Sequence, residues 1–382
     1  MKAVAVYPSQ HILKVVQDQP EPHITQPSHV KLRMLEIGIC GTDKEIARFD
    51  YGTPPAGQER LIIGHESLAE VVEVGQGVEH IKPGDLVVPT VRRPCGQPKC
   101  PACAIGRQDY CYTGLYTERG IKEHDGYMTE FVVEEEQYLH HVPRDLRDIA
   151  VLTEPLTISQ KALRQIFDVQ DRLPWSCSIG LSDPERQSKD SRPNISCRRA
   201  MVLGAGPVGL LATMTLLNAG FDTTIYSRTS GSTDRVDIVN KLGGKFVVAE
   251  EVSPDQLPQV VGDVDVVLEA VGASKLAFQV LNMLGPNAIF VFTGVPGRRG
   301  KNDEDTDFIM RNLVLNNQAL IGTVNAGPEA FISAIDSLGA FEKRWPGQLA
   351  RLITGRIKPE ETPDLLTSDS DHGIKNVVVF SD

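Results

Sequence analysis

The stretch RAMVLGAGPVGLLATMTLLN, residues 199–218, joins an apolar strand to an apolar helix through a glycine-rich turn. Ala200–Leu203 has the character of a short buried strand, and Val208–Asn218 that of a helix packed on a sheet. The chain then alternates short apolar runs with helical ones, which predicts an α/β domain with a doubly wound parallel sheet. The further predicted strands are Thr223–Tyr226, Val264–Leu268, Ala288–Thr293 and Leu320–Val324.

The turn itself has the pattern of a dinucleotide-binding fingerprint. Gly204 permits the tight turn, Gly206 lets the backbone approach a pyrophosphate, and Gly209 lets the helix pack closely on the strand. The pyrophosphate would rest on the helix N-terminus, where Pro207 sacrifices no hydrogen bond. The alternative is a purely structural glycine turn. The preceding strand and the alternation that follows favour the nucleotide site.

The end of the second predicted strand bears on which dinucleotide binds. An NAD-preferring site usually has Asp or Glu about 20 residues after the turn, whereas residues 225–229 read IYSRT and contain no acid. The guanidinium of Arg228 can pair with a 2′-phosphate. We therefore predict NADP as the cofactor and leave use of NAD open. The alternative is that Arg228 is an ordinary surface residue.

The first 150 residues have a different pattern, typical of a half-barrel of short strands. Predicted strands are His29–Gly38, Leu61–Gly75, Asp85–Pro89 and Tyr127–Val133. A helical pattern runs from Ile149 to Gln170, and we interpret the polar stretch Ser178–Asn194 as an exposed loop or insertion. The chain ends near a predicted strand at Lys375–Phe380.

Length and composition agree with a two-domain globular protein. A chain of 382 residues exceeds the size at which a single core usually stops growing. The net charge of −11 argues against nucleic acid as a partner, because phosphate binding relies on clustered Lys and Arg. The sequence contains no apolar run that could cross a bilayer and no secretory signal, so we expect a cytoplasmic location and no membrane partner.

Four of the seven cysteines lie in one short segment that also contains glycine and proline. Four thiolates in a short loop satisfy the tetrahedral preference of a closed zinc site and can fold a segment that has no core of its own. Incidental or buried cysteines are the alternative, but more than half of the thiols would then share one loop by chance. We therefore predict a structural zinc site formed by Cys95, Cys100, Cys103 and Cys111.

A second candidate metal site draws its residues from separate places. Cys40 and Thr42 follow one predicted strand, and His65 and Glu66 lie together in another. Singly, a cysteine or histidine is more often a structural residue. Together these residues provide the thiolate, imidazole, carboxylate and hydroxyl that an open catalytic zinc site needs. Glu154 is a further candidate, although a carboxylate at a helix start also suits the helix dipole.

The chain resembles the zinc-containing medium-chain dehydrogenases over nearly its full length. The resemblance is carried by GICGTD at 38–43, GHE at 64–66, the four-cysteine segment and GAGPVG at 204–209. Within that family it is most similar to the glucose dehydrogenases first known from archaea. This narrower likeness is carried by VRR at 91–93, YTERGI at 116–121, HDGYM at 124–128, EPL at 154–156 and GTVN at 322–325.

The resemblance implies an α/β protein with two domains and an active site in the cleft between them. One is a GroES-like, β-rich catalytic domain at 1–157 and 326–382, with a structural zinc lobe at about 92–115. The other is a Rossmann NAD(P)-binding domain at 158–325. The implied activity is zinc-dependent, NAD(P)-linked oxidation of a sugar hydroxyl, with D-glucose oxidised at C1 to gluconolactone. Similar proteins are dimers or tetramers, so we expect a homo-oligomer.

The resemblance also implies roles for individual residues. Cys40, His65 and Glu66 match the catalytic zinc shell, with Asp43 orienting His65 and Glu154 approaching the metal directly or through water. Residues matching proton-transfer groups are Thr42, Glu66 and Glu154. Residues matching sugar contacts are Thr42, Glu118, Glu154 and Asn325. Residues matching cofactor contacts are Gly204, Ala205, Gly206, Pro207, Val208, Gly209, Ser227, Arg228, Phe292, Thr293, Gly294, Thr323, Val324 and Asn325.

The sequence departs from the family pattern at several positions. Four residues separate Cys95 from Cys100 where two are usual, so the lobe must bulge. Ala69 replaces a usual glycine. Val91 stands where some sugar-specific members have Asn, which removes one hydroxyl contact.

Two alternative functions stay open at this point. The nearest alternative is the same chemistry on another aldose, a polyol or a secondary alcohol. The remote alternative is a noncatalytic NADPH-binding protein on the same fold, which would need none of the catalytic zinc residues.

Overall fold

The computed structural model describes residues 1–173, 175, 195–228, 233–297, 300–368 and 373–381. The predicted insertion Ser178–Asn194 lies outside these ranges. Within them, no helix combines the length and the apolar character that a membrane crossing requires.

The strands and α-helices of the described residues are numbered in chain order. The strands are β1 Ala3–Tyr7, β2 Ile12–Val16, β3 His29–Gly38, β4 Leu61–Ile62, β5 Glu66–Val74, β6 Leu86–Pro89, β7 Arg92–Arg93, β8 Thr117–Arg119, β9 Glu123–His124, β10 Phe131–Glu135, β11 Leu139–Val142, β12 Arg199–Leu203, β13 Asp222–Ser227, β14 Lys245–Val248, β15 Val264–Glu269, β16 Leu284–Phe292, β17 Ala319–Gly322, β18 Ile353–Ile357 and β19 Lys375–Val379. The helices are α1 Gly41–Ala47, α2 Pro101–Ala104, α3 Thr153–Gln170, α4 Pro207–Ala219, α5 Thr233–Leu242, α6 Leu257–Val260, α7 Ser274–Val280, α8 Thr306–Leu315, α9 Pro328–Arg344 and α10 Thr362–Thr367.

Residues Ile158–Val324 form a compact unit, the central unit, built on a six-stranded sheet. The strand order is β14-β13-β12-β15-β16-β17, and every neighbouring pair is parallel. Met201, Val267 and Phe290, from three adjacent strands, belong to one buried cluster. When the six strands are numbered from β12 as the first along the chain, their order in the sheet is 3-2-1-4-5-6. This is the doubly wound order, with a switch point between β12 and β15. The predicted parallel-sheet domain is confirmed.

Residues Met1–Thr157 and Asn325–Asp382 form the other compact unit, the two-part unit. Its largest sheet has seven strands with β3 at the centre. β5 pairs along one edge of β3, while β10 and β19 pair with successive halves of the other edge. Because β19 comes from the end of the chain, the last segment belongs structurally with the first. Asn325, which ends the predicted central domain, lies in the two-part unit.

In the two-part unit, two strands differ from their predicted bounds by more than one residue. The predicted strand Leu61–Gly75 is divided into β4 and β5 by a turn at Gly64, whose φ is +91°. The strand predicted at Tyr127–Val133 begins only at Phe131. The reason is that the backbone N–H of Tyr127 donates to the Gly64 carbonyl oxygen at 2.9 Å, so this segment follows the turn before it joins the sheet.

A buried charge cluster ties β10 to neighbouring segments of the two-part unit. The Glu134 carboxylate lies 2.8 Å from Nη2 of Arg93 and 2.6 Å from Nε of Arg119. The Tyr127 hydroxyl donates to the same carboxylate at 3.0 Å. Burial alone would raise the pKa of Glu134, but the two guanidinium groups outweigh it and lower the pKa to about 2. Glu134 is therefore ionised and paired at neutral pH.

Glu134→Gln is expected to lower the free energy of unfolding by about 3–5 kcal/mol at neutral pH, because it leaves two buried guanidinium groups without their carboxylate. Since the folded-state pKa lies below the ordinary value of 4.5, this stabilisation is present above that pH and is lost as the pH falls towards 2. Urea unfolding at a series of pH values measures both effects. Glu70→Gln, at the partly exposed partner of Arg33, is the control and should cost less than about 1 kcal/mol. If the difference in the free energy of unfolding between Glu134→Gln and wild type does not shrink in acid, the ionised Glu134 is not the source of this stability.

Candidate active site

Cys40 follows β3 and begins α1. Its backbone N–H donates to Oδ2 of Asp43 at 2.9 Å, and its Sγ accepts from the backbone N–H of Thr42 at 3.2 Å. This reciprocal arrangement caps the helix, and Asp43 is completely buried. The capping bonds therefore fix the orientation of the Cys40 sulfur.

His65 and Glu66 lie where β5 begins. Nε2 of His65 is 3.1 Å from Sγ of Cys40, and Nδ1 is 3.6 Å from Oδ1 of Asp43. Among the described residues, neither that nitrogen nor that oxygen has a hydrogen-bond partner. Burial lowers the pKa of His65, but Cys40 and Asp43 outweigh it and raise the pKa well above the ordinary value. The distance of 3.6 Å between Nδ1 of His65 and Oδ1 of Asp43 is compatible with the predicted orienting role of Asp43, which stays a prediction.

The donor atoms of Cys40, His65 and Glu66 fit a zinc ion. One sulfur, one imidazole nitrogen and one carboxylate oxygen lie within 4.8 Å of one another. Thiolate, imidazole and carboxylate are the donor types of catalytic zinc sites, which have three protein ligands and keep one position open. The imidazole is buried with one unsatisfied nitrogen, an arrangement that the protein alone stabilises poorly.

Lys375 is a buried cation of this cluster that the sequence patterns do not single out. It lies on β19, which pairs with the end of β3. Its ammonium forms an ion pair with Glu66 and donates to the carbonyl oxygen of Ile39 at 2.9 Å, and only 1% of its side chain is exposed. The Glu66 carboxylate is thus shared between a buried cation and the Cys40–His65 pair.

Glu154 lies in the first turn of α3 and is buried near the same cluster. Burial raises its pKa to about 7; His65 opposes this rise and Glu66 adds to it. Within the described part of the chain, the group of donor atoms that lie within 4.8 Å does not include Glu154. Ligation by Glu154, direct or through water, therefore stays a prediction.

The four-cysteine lobe lies between β7 and β8. The four sulfur atoms lie within 4.8 Å of one another, which fits a tetrahedral zinc site. The longer spacing after Cys95 is taken up by a turn in which the Cys100 N–H donates to the Gln97 carbonyl oxygen at 3.0 Å. The side chains of Ile105 and Tyr112 are exposed. A segment with so little core needs a metal or a similar crosslink to hold its shape. The cysteines concerned are Cys95, Cys100, Cys103 and Cys111.

The predicted sugar ligands Glu118 and Asn325 contact each other. Nδ2 of Asn325 donates to Oε1 of Glu118 at 3.0 Å. The same oxygen accepts from Nε of Arg92 at 3.0 Å, and Nη2 of Arg92 lies 3.0 Å from it as an ion-pair contact. Arg92 and Glu118 are both 5% exposed. The ion pair with Arg92 is a feature that the sequence analysis does not predict.

The glycine-rich turn lies between β12 and α4, at the switch point of the sheet. Gly204 has a φ of +100°, which residues with side chains rarely adopt. A Cβ at Gly209 would lie 1.9 Å from the Gly204 carbonyl oxygen, whereas one at Gly206 would meet nothing within 4 Å. The close approach packs helix on strand, and the open space lies at a helix N-terminus. This is the geometry that a pyrophosphate site requires.

Ser227 and Arg228 lie at the end of β13, next to this turn. The backbone N–H of Ala205 donates to Oγ of Ser227 at 3.1 Å. The Arg228 side chain is exposed. A cation is therefore available to a ligand that follows the turn towards β13.

Glu269, at the end of β15, orders the loops that carry the predicted nicotinamide contacts. Its carboxylate accepts from three backbone N–H groups at 2.7, 2.6 and 3.2 Å, those of Val271, Gly272 and Gly294. The Thr293 hydroxyl donates to its carbonyl oxygen at 2.7 Å. Glu269 is 2% exposed and is a second residue that the sequence patterns do not single out.

The remaining predicted nicotinamide contacts follow β16 and β17. The backbone N–H of Thr323 donates to the Phe292 carbonyl oxygen at 3.0 Å, and the carbonyl oxygen of Val324 accepts from Nζ of Lys161 at 3.1 Å. Phe292, Thr293, Gly294, Thr323 and Val324 all belong to the central unit. They lie at or just beyond the carboxyl ends of neighbouring parallel strands.

Lys375 and Glu269 share a sequence signal that could have found them. Each is a charged residue at one end of a largely apolar strand, in KNVVV and VDVVLE. A buried charge at such a position needs a partner, and that need is the signal. The partner itself depends on strand pairing, which the local pattern does not contain.

Two family descriptions match the chain. Residues 26–144 match the alcohol dehydrogenase GroES-like domain. Residues 183–380 match the glucose dehydrogenase C-terminus. The predicted fold class, a GroES-like domain with a Rossmann domain, is confirmed.

Similar proteins cover nearly the whole chain. The glucose 1-dehydrogenase of Methanocella arvoryzae is 37% identical over 97% of this chain and 97% of its own length. That of Thermoproteus tenax is 37% identical over 90% of this chain and 91% of its own. The solved structure of Haloferax mediterranei glucose dehydrogenase in complex with NADP, Zn and gluconolactone has a TM-score of 0.86 at 29% identity and covers 100% of both chains. The chain belongs to the glucose 1-dehydrogenase family of zinc-containing medium-chain dehydrogenases.

Proposed function

We propose that this protein oxidises D-glucose at C1 to gluconolactone, with zinc as the catalytic metal and NADP as the hydride acceptor. The observation that carries the proposal is the grouping of Cys40, His65 and Glu66 within 4.8 Å. A noncatalytic NADPH-binding protein would need none of these residues. The Haloferax relative holds NADP, Zn and gluconolactone, which supports the same ligands here.

Cys40, His65 and Glu66 would hold the catalytic zinc, and the four-cysteine lobe would hold a structural one. A bound zinc supplies Lewis acidity at the hydroxyl oxygen that loses its proton. The Thr42 hydroxyl, two residues from the Cys40 thiol, is the proposed first acceptor of that proton. Thr42 would pass its own proton on, and Glu154, which is buried near the same cluster, is the proposed next participant in a relay to solvent.

Glu118 and Asn325 would bind sugar hydroxyls. Both are polar groups held in fixed positions by the hydrogen bond between them. A substrate without additional hydroxyls would leave such groups unpaired, and this loss discriminates strongly between substrates. The loops ordered by Glu269 would orient the nicotinamide ring, which itself performs the hydride chemistry.

A panel of glucose, other aldoses, polyols and secondary alcohols, each with NADP and with NAD, tests the proposal. We expect the highest kcat/KM for glucose with NADP, loss of turnover with a chelator, and roughly two zinc ions per chain. Val91, which is buried, provides no polar side chain where some sugar-specific members have Asn. This favours the alternative of another aldose, a polyol or a secondary alcohol. A higher kcat/KM for one of these would replace glucose as the substrate. A single zinc and no turnover would favour a binding protein.

Arg228→Leu is expected to lower kcat/KM for NADP by roughly 10- to 100-fold and to leave that for NAD nearly unchanged, because it removes a charge-assisted contact to the 2′-phosphate. Initial rates with each cofactor measure the effect. Lys241→Leu, which removes an exposed cation of α5, is the control. A wild-type preference for NAD of roughly tenfold or more would contradict the NADP proposal.

We further propose that the protein is a homo-oligomer, a dimer or tetramer, that associates through α8 and β17. β17 is one of the two edge strands of the central sheet as described, and none of the residues of α8 is buried. An open strand edge and exposed apolar side chains are features that a two-fold partner covers. Light scattering should show an oligomer for wild type and a monomer for Met310→Asp combined with Val314→Asp. A monomeric wild type would contradict this proposal. The exposed apolar residues are Phe308, Met310, Val314, Leu315 and Leu320.

A further inference from the structure

Arg92 is a buried arginine whose whole guanidinium is engaged. Nε donates to Oε1 of Glu118 at 3.0 Å, Nη2 forms an ion pair with the same oxygen at 3.0 Å, and Nη1 donates to the carbonyl oxygen of Asp109 at 3.2 Å. The guanidinium also stacks on the Tyr116 ring, 3.7 Å from its centroid. Only 6% of the Arg92 side chain is exposed. Contacts on both nitrogen edges and on one face leave this group a single orientation.

We propose that Arg92 is a positioning residue that holds the Glu118 carboxylate in place for sugar binding; this inference rests on the proposed function. In the described structure, the hydrogen bonds to the Glu118 carboxylate all fall on Oε1, from Arg92 and from Asn325. A carboxylate has about four acceptor positions, so Oε2 retains the capacity to accept a substrate hydroxyl. The two protein donors therefore fix one oxygen and leave the other for the sugar.

Charge gives Arg92 a second effect on Glu118. A buried carboxylate without a cation is strongly destabilised. The Arg92–Glu118 pair is neutral overall, which suits a neutral sugar. Lysine cannot reproduce this arrangement, because its ammonium is a point charge without the planar fork.

The four-cysteine lobe fixes Arg92 in turn. Asp109, whose carbonyl oxygen accepts from Arg92, lies between Cys103 and Cys111. The Asp109 side chain is buried and pairs with Arg107 at 3.2 Å. The lobe thereby acts on the sugar site through one arginine, without contributing a ligand of its own.

The competing interpretation is that Arg92 and Glu118 form a structural ion pair that only closes the lobe. The two interpretations differ in which kinetic constant changes. A positioning role predicts a loss confined to sugar binding that disappears when Glu118 is already altered. A structural role predicts a general loss of stability, metal or activity.

The test compares Arg92→Met, Arg92→Lys, Glu118→Gln and the Arg92→Met/Glu118→Gln double variant of the zinc-loaded protein. The measurements are KM and kcat for glucose, Kd for NADP, zinc content and Tm. We expect Arg92→Met to raise KM by roughly 10- to 100-fold, as for loss of a hydrogen bond to a charged group, with a smaller change in kcat. Arg92→Lys should recover part of this loss, and Kd for NADP and zinc content should stay at the wild-type values.

The double variant decides between the interpretations, because a residue that acts through Glu118 has nothing further to lose once Glu118 is changed. We expect the KM of the double variant to equal that of Glu118→Gln. The positioning role would be overturned if the KM increases of the two single variants multiply in the double variant. It would also be overturned if sugar binding, NADP binding and zinc content all weaken to the same extent. Arg60→Met removes an ion pair with Asp18 elsewhere in the two-part unit and is the control. If the wild type oxidises no sugar, the proposed function fails and this inference fails with it; sugar oxidation with multiplied effects overturns the inference alone.

Discussion

His65→Ala is expected to lower kcat/KM for glucose by a factor on the order of a thousand or more, and to lower the zinc content from roughly two ions per chain to roughly one. His65 supplies the imidazole that lies 3.1 Å from the Cys40 sulfur, so its removal leaves a thiol and a carboxylate that is already paired with Lys375. Two such ligands do not retain zinc against solvent, and Lewis-acid assistance of several kcal/mol is lost with the ion. The remaining zinc should be that of the four-cysteine lobe.

Metal analysis and NADP titration separate this effect from misfolding. We expect the Kd for NADP to be unchanged, because the proposed cofactor residues other than Asn325 belong to the central unit and His65 does not. His80→Ala, at an exposed histidine, is the matched control and should retain full activity and zinc. If His65→Ala keeps two zinc ions and turns glucose over at the wild-type rate, the catalytic metal lies elsewhere.

The strands of the central unit could be predicted closely because their signal is local. Val264–Leu268 and Thr223–Tyr226 are runs of mostly apolar or β-branched residues bounded by polar ones, and β15 and β13 differ from them by only one or two residues. The order of the strands also follows once the glycine turn marks the first strand of a doubly wound sheet. Apolar periodicity and turn chemistry were therefore enough to predict most of the strands of this unit and their order.

The surroundings of the candidate site could not be predicted, because they depend on pairing between distant segments. Lys375 and Ile39 are 336 residues apart in sequence and meet only because β19 pairs with β3. Arg92 and Glu118 are 26 residues apart, and β7 pairs with β8 in a register that local propensity does not specify. Motifs thus identified the candidate ligands, whereas the buried charges that hold those ligands became visible only in the structure.

Lys375→Met is expected to lower the free energy of unfolding of the metal-free protein by about 3–5 kcal/mol, because it leaves the buried Glu66 carboxylate without its ion-pair partner. Burial lowers the pKa of Lys375, but Glu66 and Cys40 outweigh it and raise the pKa, so the ammonium is charged in the folded protein. The ion pair lies in an almost fully enclosed place, where 1% of the lysine and 3% of the glutamate side chain are exposed. Solvent screening is therefore weak.

Zinc should reverse most of this loss, since a divalent ion held by Cys40, His65 and Glu66 supplies the positive charge that the variant lacks. Urea unfolding of wild type and Lys375→Met, each with zinc and with a chelator, measures this coupling. The chelator also empties the four-cysteine lobe, but that contribution is common to both proteins and cancels in the double difference. Lys31→Met, at a buried lysine that pairs with Glu21 away from the metal cluster, should be destabilised equally with and without zinc. If zinc restores no more stability to Lys375→Met than to Lys31→Met, then the Glu66 carboxylate pairs with Lys375 and does not bind the zinc ion.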